Sequence, residues 1–388
     1  MDIKRAVRQF FQRIDWLLLL LCTGLVVFGV LLHLGISRTD YVHLLKNFTG
    51  RNIQSQIIAV IIGVAAALVL ANINYRSLAS KWKFYVPAAY LLMLSTFVFG
   101  VATAERESAR RWLIIPGINM SVQPSEFLKL AFILSFAYHV YKTQENFNHP
   151  LNILLLCAHA MVPVALIQYQ GDSGTALMCI LIFLTMIFMA GIKPIYMVLA
   201  GITVPAAVPI VWSFLLSEWQ KRRIQAVLWP TNADYEGTYY QQSRAALAIS
   251  SGKLTGNGVF NDAYSHVYVP EIHNDFIFAF VGDCLGFLGC VAVIIAIALM
   301  CVKILYNCGV ANDKQGQLIC AGVFAMIFFQ SAINIFMCLS LMPVIGNSLP
   351  FISSGGSSVL ANYLGIGLVL SVFKHTKRRK IADTFLPR

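Results

Sequence analysis

Charge is what this chain has least of. Asp, Glu, Lys and Arg together make up 12% of its 388 residues, while 58% are hydrophobic. A soluble enzyme of this length could not cover its surface with so few charges. The signature loops of soluble catalysis are missing too: no GKS/T, no GxGxxG after a strand, no HExxH and no GxSxG. The nine cysteines include no CxxC and lie mostly inside apolar runs, so they read as packing thiols rather than disulfides or metal ligands. No intramembrane run of acidic residues marks a proton relay, which argues against a proton-coupled pump. No low-complexity tail or long linker separates a second domain, and residues 1–388 read as one unit.

What remains is apolar sequence in lengths of about 17–25 residues, the length that crosses a bilayer. Ten spans are predicted, near 16–34, 55–72, 84–101, 126–141, 151–168, 175–191, 196–216, 275–303, 318–342 and 355–373. The fold class is an all-α polytopic membrane protein, with a large extracellular loop at 217–274 between spans 7 and 8. The first span is too long for a signal peptide and lacks a small-residue cleavage site, so it reads as uncleaved. An even number of spans puts both termini on one side. Most Lys and Arg then fall on that side, which makes it the cytoplasm. The basic tail KHTKRRK reads as an anchor on anionic membrane lipid. This placement, at span ends, is why a net charge of +12 does not imply nucleic acid.

The cations on the disfavoured outer side are clustered. Arg106, Arg110 and Arg111 precede Trp112, Lys129 lies one turn into span 4, and Lys221, Arg222, Arg223, Arg244 and Lys253 lie in the long loop. Such a set suits an anionic ligand such as a diphosphate. The plainer alternative pairs Arg106–Arg111 with Glu105 and Glu107 as a solvated charge cluster. Glu126 and Lys129 share one helix face at i,i+3, as an ion pair or as groups facing substrate. The polar stretch 105–126 is expected to be a loop. Gly171–Gly174 reads as a tight turn around Asp172. Gln330 and Asn334 read as helix–helix hydrogen-bonding groups. The Gly- and Ser-rich stretch Gly346–Ser358 reads as a break that lines a cavity opposite the long loop.

One stretch concentrates the chemistry: Tyr268–Phe280, YVPEIHNDFIFAF, where Asp275 sits between a polar loop and an apolar run. Partial desolvation there raises a carboxylate's pKa and makes it a better base. The simpler reading is that Asp275 is the N-cap of the eighth span. A glycosidase pair needs carboxylates roughly 5–9.5 Å apart. Asp275 and Asp283 are about 12 Å apart along one helix, so they are not such a pair.

Three stretches resemble the SEDS family of bacterial membrane proteins (RodA, FtsW, SpoVE). They are RRWLIIPGINMSVQPSEFLKLAF at 110–132, VPEIHNDFIFAFVGDCLGFLG at 269–289 and LPFISSGGSSVLANYLGIGLVL at 349–370. The segment Arg222–Pro230 leading to Tyr240, Gln241, Gln242 and Ser243 matches as well. The resemblance implies polymerisation of lipid II into peptidoglycan strands on the outer face of the bacterial cytoplasmic membrane. It also implies a class B penicillin-binding protein as partner. The family's essential Asp lies in an HTDFIF motif that maps onto His273–Phe278, and so onto Asp275. Arg110, Arg111, Trp112, Glu126, Lys129, His273, Gln242 and Ser243 are the expected substrate contacts, and a divalent cation (Mg or Mn) is a candidate cofactor. The chain departs from the family at Asn274 (usually Thr), Asp283–Cys284 (usually Glu-Glu), Gly171–Gly174 (usually Pro-Asp-Leu-Gly) and Ser354 (usually Tyr). Its short N-terminus and its SSVLANYLGIGLVL ending look more like RodA than FtsW. Two other functions would use the same features: a lipid II flippase and a non-catalytic scaffold of the elongation or division machinery.

Overall fold

The computed structural model describes residues 11–376, apart from Gln12, 46–47, Thr49, 104–105, 116–119, 232–233, Glu236 and Asp262. The basic N-terminal residues and the tail from Lys377, read above as inner-face charges, lie outside the described residues.

Ten long helices stand at the ten predicted spans. They are α1 (Trp16–Ile36), α2 (Gly50–Asn72), α3 (Trp82–Phe99), α4 (Pro124–Lys142), α5 (Pro150–Tyr169), α6 (Ser173–Ala190) and α7 (Pro194–Ile210). Two short helices of the long loop follow, α8 (Glu218–Leu228) and α9 (Tyr240–Ser251). The last three spans are α10 (Ile277–Val310), α11 (Lys314–Cys338) and α12 (Gly356–His375). Among the described residues, nine helices are long and apolar enough to cross a membrane. The tenth, α4, carries Glu126, Lys129 and Lys142 and is the most polar of the set. Large side chains such as Leu20, Phe84, Leu154 and Phe214 stand more than half exposed on the outside of the bundle. In water that surface would aggregate; in lipid it is the solvated face. The chain is a multi-pass membrane protein.

The core is built around α11 and α12, each 72% buried over its apolar window. Small residues set the spacing there. A Cβ on Gly367 of α12 would stand 2.8 Å from the Cα of Ala67 on α2, and one on Gly63 would stand 2.7 Å from the Tyr363 ring. Close backbone approach of this kind replaces the hydrophobic drive that lipid removes. Helix α7 is peripheral: it is interrupted by Pro205 and Pro209, and none of its apolar stretch is buried.

Two local outcomes correct the sequence reading. In place of the loop expected at 105–126, residues 101–122 form a three-stranded antiparallel sheet of β1 (Val101–Thr103), β2 (Arg106–Ile115) and β3 (Met120–Val122). Leu113 pairs with Val122 and Ile114 with Ser121. Mutual strand pairing satisfies the backbone of a segment too polar to span. Helix α10 is also not one uninterrupted helix. At Gly286 the backbone turns to φ 63°, ψ −161°. The amides of Phe287 and Leu288 bond to the carbonyls of Lys253 and Leu254, and those of Asn257 and Gly258 to the carbonyls of Asp283 and Cys284. The Gly-rich loop after α9 thus lies along the break, accepting from two helix amides and donating to two helix carbonyls.

Candidate active site

The turn Glu271–Phe276 delivers Asp275. Glu271 adopts a left-handed conformation, φ 53°, which is costly for a residue with a side chain. Its carbonyl accepts from the amides of Asn274 (3.0 Å), Asp275 (3.1 Å) and Phe276 (3.4 Å). The N-cap of α10 is Phe276, so Asp275 stands one residue outside the helix, and the capping alternative does not describe it. The turn is tied down at each carbonyl. His273 O accepts from Ser354 N (2.9 Å), Asn274 O from Ser353 Oγ (2.6 Å) and Asp275 O from Asn334 Nδ2 (2.8 Å). Backbone anchors leave the carboxylate's orientation to the site.

Asn334 also donates to Asn347 O (2.6 Å), and Gln330 donates to Ser348 O (3.1 Å). These two polar groups of α11 therefore hold irregular backbone, not another helix. The backbone they hold is the Gly346–Ser358 break, which lines the same cavity as Asp275. Gly346 has φ 76°, and a Cβ there would lie 3.7 Å from Asp275 Oδ2.

That cavity has a volume of about 660 Å³. One wall is the Asp275 turn and the break. The same lining includes Arg111 and Trp112 from β2, Glu126 from α4, and Trp219 and Arg223 from α8. Five of the nine expected site residues thus line one space: Asp275, His273, Arg111, Trp112 and Glu126. Arg111 Nη1 is 3.6 Å from Asp172 Oδ1, and its Nη2 donates to Gly171 O. Asp172 also caps α6 through Thr175 N (3.2 Å) and accepts from Gln123 Nε2 (2.8 Å). The Gly171–Gly174 turn is therefore both a helix cap and part of the site wall. Arg223 stacks on Trp219 at 3.6 Å and donates to Val344 O. Stacking fixes the orientation of the guanidinium.

The other expected residues fall elsewhere. Lys129 is 1% exposed and bonds Glu126 Oε1 at 2.9 Å, so it lies behind Glu126, which alone of the pair lines the cavity. Glu126 Oε2 has no hydrogen-bond partner among the described residues. Gln242 spends its amide on the carbonyls of Met337 (3.1 Å) and Met342 (2.7 Å), and Ser243 Oγ bonds Tyr240 O. Neither lines the cavity, and nor does Arg110, which is exposed. Of the remaining outer cations, Lys221 pairs with Glu218 (2.7 Å) and Arg244 holds Tyr268 O (2.9 Å). Glu105 lies outside the described residues, as do the side chains of Arg106 and Glu107.

His273 is neutral here: burial, and secondarily the neighbouring His33, pushes its pKa down to about 3. It shapes the cavity without adding charge. Arg223, Glu271 and Asn347 line the cavity and are not among the expected substrate contacts. Arg223 was visible only as one of three consecutive cations, and nothing local tells which of them turns inward.

Residues 15–378 match the Cell cycle protein family, FtsW/RodA/SpoVE. The "probable peptidoglycan glycosyltransferase FtsW" of Geobacter metallireducens is 30% identical over 379 residues, 94% of this chain and 96% of its own. The "peptidoglycan glycosyltransferase MrdB" of Escherichia coli K12 is 28% identical over 319 residues, 81% and 84% of the two chains. Among solved structures, a chain of a peptidoglycan synthase complex that coordinates polymerization and crosslinking superposes with a TM-score of 0.76 at 24% identity. It covers 95% of this chain and 100% of that one. The rod shape determining protein RodA of Thermus thermophilus superposes with a TM-score of 0.67 at 22% identity, covering 95% and 99%.

Proposed function

This chain belongs to the FtsW/RodA/SpoVE family, and from that premise we propose that it is a peptidoglycan glycosyltransferase polymerising lipid II at the outer face of the cytoplasmic membrane. The observation that carries this reading is the joint position of Asp275, Arg111 and Arg223 on one cavity.

In the proposed reaction Asp275 takes the proton from the 4-hydroxyl of the acceptor sugar as general base. That oxygen bonds to the donor's anomeric carbon with inversion, while the bond from that carbon to the diphosphate breaks. The electron pair leaves with undecaprenyl diphosphate. Arg111 and Arg223 stabilise the charge that develops there. Trp112 and Trp219 add aromatic surface to the same cavity. The ground for excluding His273 from the cationic set is its neutrality.

No group of three or more His, Cys, Asp or Glu among the described residues could hold a metal. Mg²⁺ or Mn²⁺ needs only one or two carboxylates when substrate phosphates supply the rest, and Asp275 is positioned to be one. Such an ion would add charge neutralisation at the diphosphate.

A class B penicillin-binding protein is the proposed partner; the fold shared with a chain of a peptidoglycan synthase complex supports it. Both termini are proposed to be cytoplasmic, which puts the cavity and α8–α9 outside, where the glycan is made. The test is reconstitution with labelled lipid II, the partner and metal, with Asp275→Asn beside wild type. A glycan ladder from wild type and a loss of about 10²–10⁴-fold in the variant are expected. A wild-type rate in the variant would remove Asp275 as base. No ladder from either protein would favour lipid II transport or a scaffold.

A further inference from the structure

His33 is an anomaly in the sequence of α1. It is the one side chain of a basic or acidic residue in WLLLLLCTGLVVFGVLLHLGI, a helix that otherwise reads as an ordinary lipid-crossing span. It is 1% exposed. A buried polar ring in such a place costs free energy unless it is hydrogen-bonded, so its bonds say why it is there. Nε2 lies 3.1 Å from the carbonyl oxygen of His273, and Nδ1 lies 2.6 Å from the carbonyl oxygen of Gly29, four residues back in the same helix.

We propose that His33 is a positioning residue for glycosyl transfer: its Nε2–H holds the His273 carbonyl and so fixes the turn that presents Asp275. The proposal rests on the reading of Asp275 as the base. Both ring nitrogens face carbonyl oxygens, so Nε2 donates to His273 O in the Nε2–H tautomer or the imidazolium, and the Nδ1–H tautomer would donate to Gly29 O instead. The His273 carbonyl is a junction, since it also accepts from Ser354 N at 2.9 Å. One oxygen therefore joins the first span, the Asp275 turn and the Gly- and Ser-rich break. The helix face around His33 is shaped for that junction. A Cβ on Gly29 would stand 2.4 Å from the carbonyl oxygen of Ile352, so α1 lies directly on the break. Phe48 stacks on the His33 ring (6.3 Å between centroids, 19° between planes) and tilts against the His273 ring at 5.1 Å. Those contacts fix the ring plane and leave its edge pointing at His273.

The bland alternative is that His33 only bonds Gly29 within its own helix. Two amide substitutions separate the cases, because Gln places its NH₂ near the position of Nε2 and Asn near that of Nδ1. The experiment uses the reconstituted protein with labelled lipid II and compares wild type with His33→Leu, His33→Gln and His33→Asn. A displaced base lowers kcat without weakening binding. His33→Leu is therefore expected to lose about 10²-fold in kcat, with KM within about twofold. His33→Gln is expected to recover most of the rate and His33→Asn little of it. Amide exchange at Asp275, Phe276 and Ser354 supplies a readout that needs no turnover. It should quicken in the Leu and Asn variants and stay near wild type in His33→Gln. Wild-type kcat and exchange in His33→Leu would overturn the proposal, as would equal rescue by Asn and Gln. If His33→Leu does not fold, the Gln and Asn pair decides. If wild type makes no glycan, the polymerase reading fails, and the exchange measurement still decides whether His33 holds the turn.

Discussion

At the scale of single residues, the site works by denying freedom to one short turn. His273, Asn274 and Asp275 each have their carbonyl bonded to a different partner, and the amide of Asp275 closes on Glu271. The side chains around the turn then need only be neutral or correctly charged. His273 illustrates the cost. Burial pushes its pKa down to about 3 from an ordinary value of 6.5. Between those values the unfolded chain binds a proton that the folded chain refuses. Stability therefore rises with pH through that window, and is lost as pH falls from about 6.5 toward 3, at up to about 1.4 kcal/mol per unit. Replacing His273 with Gln should flatten this part of the thermal-stability profile measured in detergent. An unchanged slope would mean that other groups carry the acid sensitivity.

At the scale of elements, hydropathy made the spans legible to within a few residues, because lipid demands long apolar helices and little else does. It missed the sheet at 101–122, whose two outer strands have three residues each and whose ten-residue middle strand, RESARRWLII, does not alternate polar with apolar; its stability comes from strand pairing. The break in α10 was half legible. The loop SGKLTGNG advertised turns, but nothing in FVGDCLGFLG says that the turn residues would be set into the helix. Gly286 is where this becomes an obligation. At φ 63°, ψ −161°, a Cβ would lie 2.5 Å from Gly256 N and 2.6 Å from Leu254 O. Gly286→Ala should therefore cost at least the ~1–3 kcal/mol of such a backbone outlier. The affected unit is specific. Asp283, just before the break, accepts from Ser251 Oγ (2.8 Å), Asn257 Nδ2 (2.9 Å) and Val267 N (3.3 Å), and pairs with His266 Nδ1 (2.9 Å). Limited proteolysis of Gly286→Ala should cut first between residues 251 and 267. Cleavage elsewhere first, or an unchanged melting temperature, would show that the loop is not held by the break.

At the scale of the whole molecule, the cavity gathers residues from positions 111, 171, 223, 275 and 346, and each lay in a stretch that the sequence marked. What could not be read was which member of each stretch turns inward, since that is decided by tertiary packing. Lys129 went behind Glu126, Gln242 went to the carbonyls of Met337 and Met342 around the end of α11, and Arg223 rather than Lys221 reached the site. The orientation of the whole assembly is a separate question, which the bundle poses sharply. The ten long helices return the chain to its starting side, so Arg38 and the cavity face one compartment, and Arg76 and Lys303 the other. The positive-inside rule assigns the cavity to the outside. Single exposed serines at the two ends can report on this, because all nine native cysteines are free and none is fully exposed. Ser37 follows α1, and Ser80 lies between α2 and α3 on the opposite side. In whole cells, Ser37→Cys should react with a membrane-impermeant maleimide at once and Ser80→Cys only after permeabilisation. The reverse pattern would put Asp275 in the cytoplasm. A polymerase acting on precursor already displayed outside would then be untenable, and a role acting on the inner leaflet would have to replace it.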